Sequence, residues 1–144
     1  MSNDKKLSPD SLVITTGRPD PAPGASVNTP VSFTSTYVAP TGFGYGRSGN
    51  DTWTALEDAI GSLEGGRTLL FSSGMASISA VFELLPQGSI IVASQNGYTG
   101  TMYWLKRLEA ERSCEVRYVD ISNTVEVLAA LPGANFFWVE SPTN

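Results

Sequence analysis

A Ser-Ser-Gly turn is the first stretch of this chain whose residue types could do chemistry. Ser72, Ser73 and Gly74 follow the apolar residues 69–71 and precede a helix predicted over residues 75–85. A strand that turns directly into a helix presents free backbone N–H groups and the positive end of the helix dipole, where phosphate binds. Gly74 allows close approach of an anion, and the Ser73 hydroxyl can donate another hydrogen bond. The alternative is a tight turn in which Gly74 only provides the backbone conformation and binds no anion.

A second candidate is the glycine-rich segment 42–50, which carries Tyr45 and Arg47. Glycine at alternate positions costs conformational entropy, so the segment implies a constrained backbone path. The Arg47 guanidinium is a planar, permanently charged set of donors that suits phosphate or carboxylate. The alternative is a surface loop with a solvated arginine.

The elements that must position these residues form a regular pattern. Short apolar strands alternating with helices predict βαβ units and a mostly parallel sheet with helices on both faces. The predicted strands are 67–71, 89–93, 115–119 and 135–139, and the helices between them are 75–85, 99–111 and 124–131.

A further helix precedes the first of these strands. Asn50 or Thr52 can begin it and Gly65-Gly66 can end it. Its apolar residues recur at helical spacing and are predicted to be core residues: Trp53, Leu56, Ile60 and Leu63.

Ligands of parallel sheets lie beyond the carboxyl ends of the strands. Besides the Ser-Ser-Gly turn, those ends carry Tyr98, Asp120, Glu140 and Asn144. The residues at each end could also serve local structure without binding a ligand: Asn96-Gly97 as a turn, Asp120 as a cap and Pro142 as the start of a helix. Their shared position at one edge favours a ligand site.

Residues 1–44 are predicted to be an extended arm. They contain six of the nine prolines, which disfavour long helices and central strands. Only residues 11–15 and 31–38 have strand-like composition. We expect this arm to pack on a second subunit. The alternative is a flexible tail, which Phe33, Tyr37 and Val38 disfavour.

Composition excludes several function classes. The 144 residues carry a net charge of −5 and no basic run beyond Lys5-Lys6, which argues against nucleic acid as a partner. The absence of histidine removes His-based metal sites and nucleophile–histidine pairs. No apolar run could span a membrane, the N-terminus is polar, and Cys114 is the single cysteine, so we expect a cytoplasmic protein.

Four motifs together resemble one enzyme family. They are Tyr-Gly-Arg-Ser-Gly-Asn-Asp-Thr from residue 45, Ser-Ser-Gly-Met-Ala from 72, Gly-Tyr-Thr-Gly-Thr from 97 and Glu-Ser-Pro-Thr-Asn from 140. In this order and spacing they resemble the transsulfuration enzymes, which include cystathionine γ-synthase, cystathionine γ-lyase, methionine γ-lyase and O-acetylhomoserine sulfhydrylase. That family uses pyridoxal phosphate on the aspartate-aminotransferase fold.

The resemblance implies roles for individual residues. Gly74 and Met75 would donate backbone N–H groups to the cofactor phosphate, beside Ser73. Tyr45 and Arg47 would bind the phosphate in a neighbouring subunit's site, so that a dimer is the smallest complete unit and a homotetramer the expected assembly. The resemblance gives the following roles to two further residues: Tyr98 would stack on the pyridine ring and act catalytically in proton transfer, and Asn144 would donate to the phenolic oxygen of the ring.

Three positions depart from the family pattern. Asp51 stands where the family usually has proline, Thr99 replaces a common glycine, and Tyr103 stands where many members carry a basic residue near the substrate carboxylate. The last two leave the substrate open.

The chain lacks an obvious Schiff-base lysine. Its lysines are Lys5, Lys6 and Lys106, and none is predicted at a strand end. In the family both this lysine and the aspartate that holds the pyridinium proton follow the Glu-Ser-Pro-Thr-Asn motif. Residues 45–144 would then be the first part of the cofactor-binding domain, inactive by itself, with the rest of the chain as a required partner.

Two functions therefore compete. In the first, the chain is the N-terminal part of a pyridoxal-phosphate lyase or transferase that performs γ-elimination or γ-replacement on small amino-acid substrates. In the second, it is a non-catalytic α/β phosphate-binding or interaction module. A dinucleotide-binding domain is disfavoured because no G-x-G-x-x-G motif follows the first strand.

Overall fold

The computed structural model describes residues 7–38 and 42–142. Contacts divide the chain into two compact units, Met1–Leu70 and Phe71–Asn144. The predicted boundary between an arm, 1–44, and a domain, 45–144, stays a prediction, as does the packing of the arm on a second subunit.

The first unit begins with a helix where the sequence suggests a strand. The strand-like assignment of residues 11–15 is wrong, because helix α1 spans Pro9–Thr15. Ser8 caps it by accepting a hydrogen bond from the Ser11 N–H at 3.3 Å, and proline occupies the first helical turn. These N-terminal signals outweigh the β-propensity of the apolar residues that follow.

The strand-like assignment of residues 31–38 is also wrong. Their only recorded bridge within the described ranges is an isolated antiparallel pair between Thr36 and Tyr45. Nearby backbone groups bond instead to side chains at the start of the next helix. The Ser32 N–H donates to Thr52 Oγ1 at 2.8 Å, and Asn50 Nδ2 donates to the Ser32 carbonyl at 3.1 Å. Backbone groups engaged in this way cannot extend a ladder.

Helix α2, Asp51–Glu64, has the predicted ends but not the predicted burial. Asn50 accepts from the Thr52 N–H at 2.9 Å, and Gly65 ends the helix in the left-handed conformation. Leu56 and Leu63 are nearly half exposed, and Trp53 is 37% exposed. The assignment of these three residues to the core is therefore wrong, because within its unit this helix packs mainly on the short helix α1.

The second unit is the predicted parallel α/β arrangement. Strands β1 (Ile90–Ser94), β2 (Glu115–Val119) and β3 (Phe136–Trp138) form a sheet of order β2-β1-β3, with both pairs parallel. The helices between them are α4 (Thr99–Arg112) and α5 (Thr124–Ala130), and helix α3 (Gly74–Glu83) precedes β1. The three strand ends therefore meet at one edge, as predicted.

The predicted strand over residues 67–71 is wrong. Among the described residues no strand pairs with this segment. The Leu70 N–H donates to a Glu57 carboxylate oxygen at 2.8 Å, and Leu69 is 66% exposed. An apolar segment without a neighbouring strand to share its hydrogen bonds does not become a strand, whatever its composition.

The core of the second unit lies between α3, α4 and the sheet. Its buried members are Phe82, Ile91, Ala93, Leu105, Leu108 and Cys114. The Phe82 ring lies 4.9 Å from the Trp138 ring and edge-on to Phe136. Burial of these side chains holds the helices against the strands and so fixes where α3 and α4 begin.

We expect Leu105→Ala to lower the free energy of unfolding by about 2–5 kcal/mol, because it removes fully buried apolar volume. Leu128→Ala is the matched control. Leu128 is also a helical leucine but is 62% exposed, so its loss should change stability by about 0.5 kcal/mol or less. Urea denaturation followed by tryptophan fluorescence measures both. Equal losses in the two variants would contradict the described core.

Candidate functional site

The turn into α3 presents unpartnered backbone donors. Ser73 is the N-cap, and its Oγ accepts from the Ala76 N–H at 3.2 Å. Within the described ranges, the N–H groups of Gly74 and Met75 have no hydrogen-bond acceptor. The Ser73 hydroxyl still has its proton to donate. The turn therefore offers two N–H groups, a hydroxyl and the positive end of a helix to an anion.

Gly74 keeps this turn open. No heavy atom lies within 4 Å of the position that a Gly74 Cβ would take. A larger side chain would extend into that open space at the start of the helix. The turn consequently fits a phosphate group held by backbone donors.

Tyr98 lies next to Met75. It is the N-cap of α4, its side chain is about half exposed, and its hydroxyl has no partner among the described residues. A Cβ on Gly100 would collide with both the Met75 sulfur and the edge of the Tyr98 ring. The absence of a side chain at Gly100 thus leaves room for the Met75 side chain and the Tyr98 ring at the start of α4.

Glu140 is a site residue to which the sequence analysis assigned no role. One carboxylate oxygen accepts from the Tyr98 N–H at 2.6 Å. The other accepts from the Thr101 hydroxyl at 2.5 Å and from the Trp138 indole N–H at 2.8 Å. The sequence carried only part of the signal: Glu140 follows the last predicted strand, but its contact with the start of α4 requires β3 to lie beside β1, which only the structure shows.

These contacts decide the electrostatics of Glu140. Burial would raise the pKa of its carboxyl group, but the hydrogen bonds from Thr101, Trp138 and the Tyr98 N–H lower it, and the net pKa lies below its ordinary value. The group is therefore an ionised acceptor at neutral pH. Its negative charge also complements the positive end of α4.

The interpretation of Asp120 as a cap is wrong, because Asn123 caps helix α5 and Asp120 forms a turn with Ser122 instead. Its carboxylate accepts from the Ser122 hydroxyl at 2.7 Å and from the Ser122 N–H at 2.9 Å. These hydrogen bonds lower the pKa of Asp120. The residue closes the turn after β2, and Asn123 then caps α5.

Tyr45 and Arg47 belong to the first unit. The Arg47 guanidinium lies 4.6 Å from the centre of the Tyr45 ring, and within the described part of the chain it has no carboxylate partner. The intervening Gly46 donates its N–H to the Ser35 carbonyl at 2.8 Å, and a Cβ there would collide with the Thr34 carbonyl oxygen. A tight backbone path thus presents an exposed arginine, as the glycine-rich spacing predicts. Its role toward phosphate stays a prediction.

Asn144 and the three lysines of the chain are the remaining residues considered for cofactor chemistry. Asn144 lies outside the described residues, as do Lys5 and Lys6. Lys106 is exposed within α4 and does not lie at a strand end, as predicted. Within the described ranges no group of acidic, cysteine or histidine residues could hold a metal ion, and no helix is long and apolar enough to cross a membrane.

Known proteins are similar to this chain in sequence and in fold. Residues 10–144 match the family model of Cys/Met metabolism PLP-dependent enzymes. A putative cystathionine gamma-lyase from Streptomyces coelicolor is 43% identical over 112 residues, which are 73% of this chain and 28% of that protein. Cystathionine beta-lyase MetC from Bacillus subtilis is 35% identical over 126 residues, which are 83% and 32% of the two chains. The crystal structure of metB from Corynebacterium glutamicum has a TM-score of 0.84 at 34% identity, covering 96% of this chain and 38% of that one.

The chain belongs to the family of Cys/Met metabolism PLP-dependent enzymes. The resemblance drawn from the four motifs is thereby confirmed, and pyridoxal phosphate is the cofactor of this family. The chain spans about a third or less of the length of the curated relatives that it matches.

We expect Glu140 to make the second unit sensitive to acid. Because the pKa of its carboxyl group is lower in the folded chain, its stabilisation is present above the ordinary pKa of 4.5 and is lost as pH falls through the lower folded value. The stability advantage of the wild type over Glu140→Gln should be largest near pH 7 and shrink below about pH 4.5. Urea denaturation of both proteins across this range measures the difference. A difference that does not change with pH would contradict the charged role.

Proposed function

We propose that this chain is part of a pyridoxal-phosphate enzyme that performs γ-elimination or γ-replacement on sulfur amino acids or activated homoserine esters. Family membership and the names of the relatives support this class of reaction. The observation that supports the proposal most is that the Met75 sulfur and the edge of the Tyr98 ring both lie where a Gly100 side chain would be, so a side chain from the first turn of α3 is close to the predicted aromatic residue. A phosphate and an attached aromatic ring need those two features side by side.

The residues of the second unit would bind and cover the cofactor. The N–H groups of Gly74 and Met75, with the Ser73 hydroxyl, would hold its phosphate. Tyr98 would stack on its ring. When bound, the cofactor supplies an electron sink for charge that develops at the substrate α-carbon.

Tyr98 would also move a proton. Its phenol is about half exposed and has no hydrogen-bond partner among the described residues. As a phenolate it could accept a proton from the substrate ammonium group, and the phenol so formed could return it, without first breaking an internal hydrogen bond. We accordingly assign Tyr98 as the catalytic residue of this chain.

Other groups would complete the site. Arg47, with Tyr45 against its guanidinium, would reach the phosphate in a neighbouring subunit of a homo-oligomer, and Asn144 would donate to the phenolic oxygen of the ring. Lys106 is exposed on α4, so it is poorly placed as the amine that binds the aldehyde. That lysine and the aspartate for the pyridinium proton would come from the remainder of the complete enzyme.

We expect Gly74→Val to weaken pyridoxal phosphate binding at least tenfold, because its side chain would fill the space in front of the two free N–H groups. Gly66→Val is the matched control, since its Cβ would also meet nothing within 4 Å. Equilibrium dialysis of both variants against the cofactor measures the effect. Unchanged binding in Gly74→Val would rule out this turn as the phosphate site.

We expect Tyr98→Phe in the complete enzyme to lower kcat by about 10²–10⁴-fold while the cofactor remains bound, because stacking survives without the hydroxyl. Tyr118→Phe is the control, since its hydroxyl faces Glu109 rather than the site. Steady-state assays on cystathionine, methionine and an acylated homoserine, with and without cysteine, measure the change. They also separate elimination from replacement. Full activity in Tyr98→Phe would remove the catalytic role, and wild-type inactivity on every substrate would refute the proposed function.

A further inference from the structure

Helix α4 begins without a capping side chain of its own. Tyr98 occupies the N-cap position but makes no side-chain hydrogen bond to the first turn. Glu140, two residues beyond β3, supplies the acceptor instead and bonds to the Tyr98 N–H and the Thr101 hydroxyl. The position of the aromatic residue therefore depends on a carboxylate that is distant in sequence.

The Tyr98 ring lies close to Met75 at the start of helix α4. Its edge and the Met75 sulfur both lie where a Gly100 side chain would be. The backbone of Tyr98 is held by Glu140 on one side, while its ring meets Met75 on the other. If the backbone contact were released, the ring could rotate away from the α3 turn without disturbing the turn itself.

We propose that Glu140 is a positioning residue that holds the Tyr98 ring in line with the phosphate turn by binding the Tyr98 N–H. This inference rests on the proposed function and deepens it, because it assigns a residue that sets how the cofactor ring, rather than its phosphate, is held. Glu140 acts through Tyr98, whose N–H donates to its carboxylate.

Replacing Glu140 by glutamine tests the proposal selectively. The carboxylate uses one oxygen for the Tyr98 N–H and the other for Thr101 and Trp138. Glutamine has one acceptor oxygen and one donor group of the same size. If its oxygen keeps the two donors Thr101 and Trp138, its NH₂ group faces the Tyr98 N–H, and that single hydrogen bond is lost.

The experiment compares Glu140→Gln with two controls in the full chain. Thr101→Val removes a different donor from the same carboxylate. Glu126→Gln alters a carboxylate that accepts the Asp120 N–H at the end of β2. Hydrogen exchange of the Tyr98 amide, followed by NMR, reports on the contact directly. Titrations with pyridoxal phosphate and with inorganic phosphate report separately on the ring and on the anion site.

We expect Glu140→Gln to speed exchange of the Tyr98 amide about tenfold or more. It should weaken the binding of pyridoxal phosphate about three- to tenfold, as loss of aromatic stacking would. The affinity for inorganic phosphate should change less than about twofold. Both controls should stay near the wild type in all three measurements. Should Glu140→Gln fail to fold, Glu140→Asp keeps the charge but shortens the reach, and the same results are expected of it.

Several results would overturn the inference. Unchanged amide exchange would show that the hydrogen bond does not hold Tyr98. Faster exchange with unchanged pyridoxal phosphate affinity, or equal losses for both ligands, would reduce Glu140 to a structural role. The same effects in Thr101→Val would mean that the helix start as a whole matters rather than Tyr98. If the wild type binds phosphate but shows no preference for pyridoxal phosphate, the proposed function fails and this inference fails with it.

Discussion

The site of this protein depends on the parallel pairing of β1 with β2 on one side and with β3 on the other. Parallel strands end at the same edge of a sheet, so the residues that follow β1 and β3 meet although they are some 40 positions apart in the chain. The buried residues of β1 make this pairing stable, because their side chains are enclosed with those of α3 and α4. Glu140 and Tyr98 come into contact as a consequence of that packing.

Local chemistry and tertiary packing contribute differently to the two helix starts at the site. Helix α3 is capped by its own N-cap residue, since Ser73 accepts from the Ala76 N–H. This leaves the preceding donors of Gly74 and Met75 free for an anion. Helix α4 is held by Glu140, and that arrangement places an aromatic residue at its first position. One helix start thus offers free N–H donors to an anion, and the other carries an aromatic residue.

Small residues decide how closely these parts approach. Gly100 lets Met75 and Tyr98 occupy the space of a missing side chain, and no heavy atom lies within 4 Å of the position that a Gly74 Cβ would take. In the first unit, Gly46 permits a backbone path that brings Arg47 to the surface beside Tyr45. In each case the missing side chain of the glycine leaves space, and backbone flexibility is not the reason for the glycine.

The sequence alone determined the alternation of strands and helices from residue 74 onward, the ends of α2, and the turn that precedes α3. Those features follow from contacts between residues that are close in the chain, so spacing and capping chemistry reveal them. Tertiary structure decided the rest. Residues 67–71 have strand composition but no neighbouring strand, and residues 11–15 form a helix because Ser8 and Pro9 begin one. Glu140 gained its role only when folding placed β3 beside β1, because a single carboxylate can serve three donors only after the packed sheet has brought them to it.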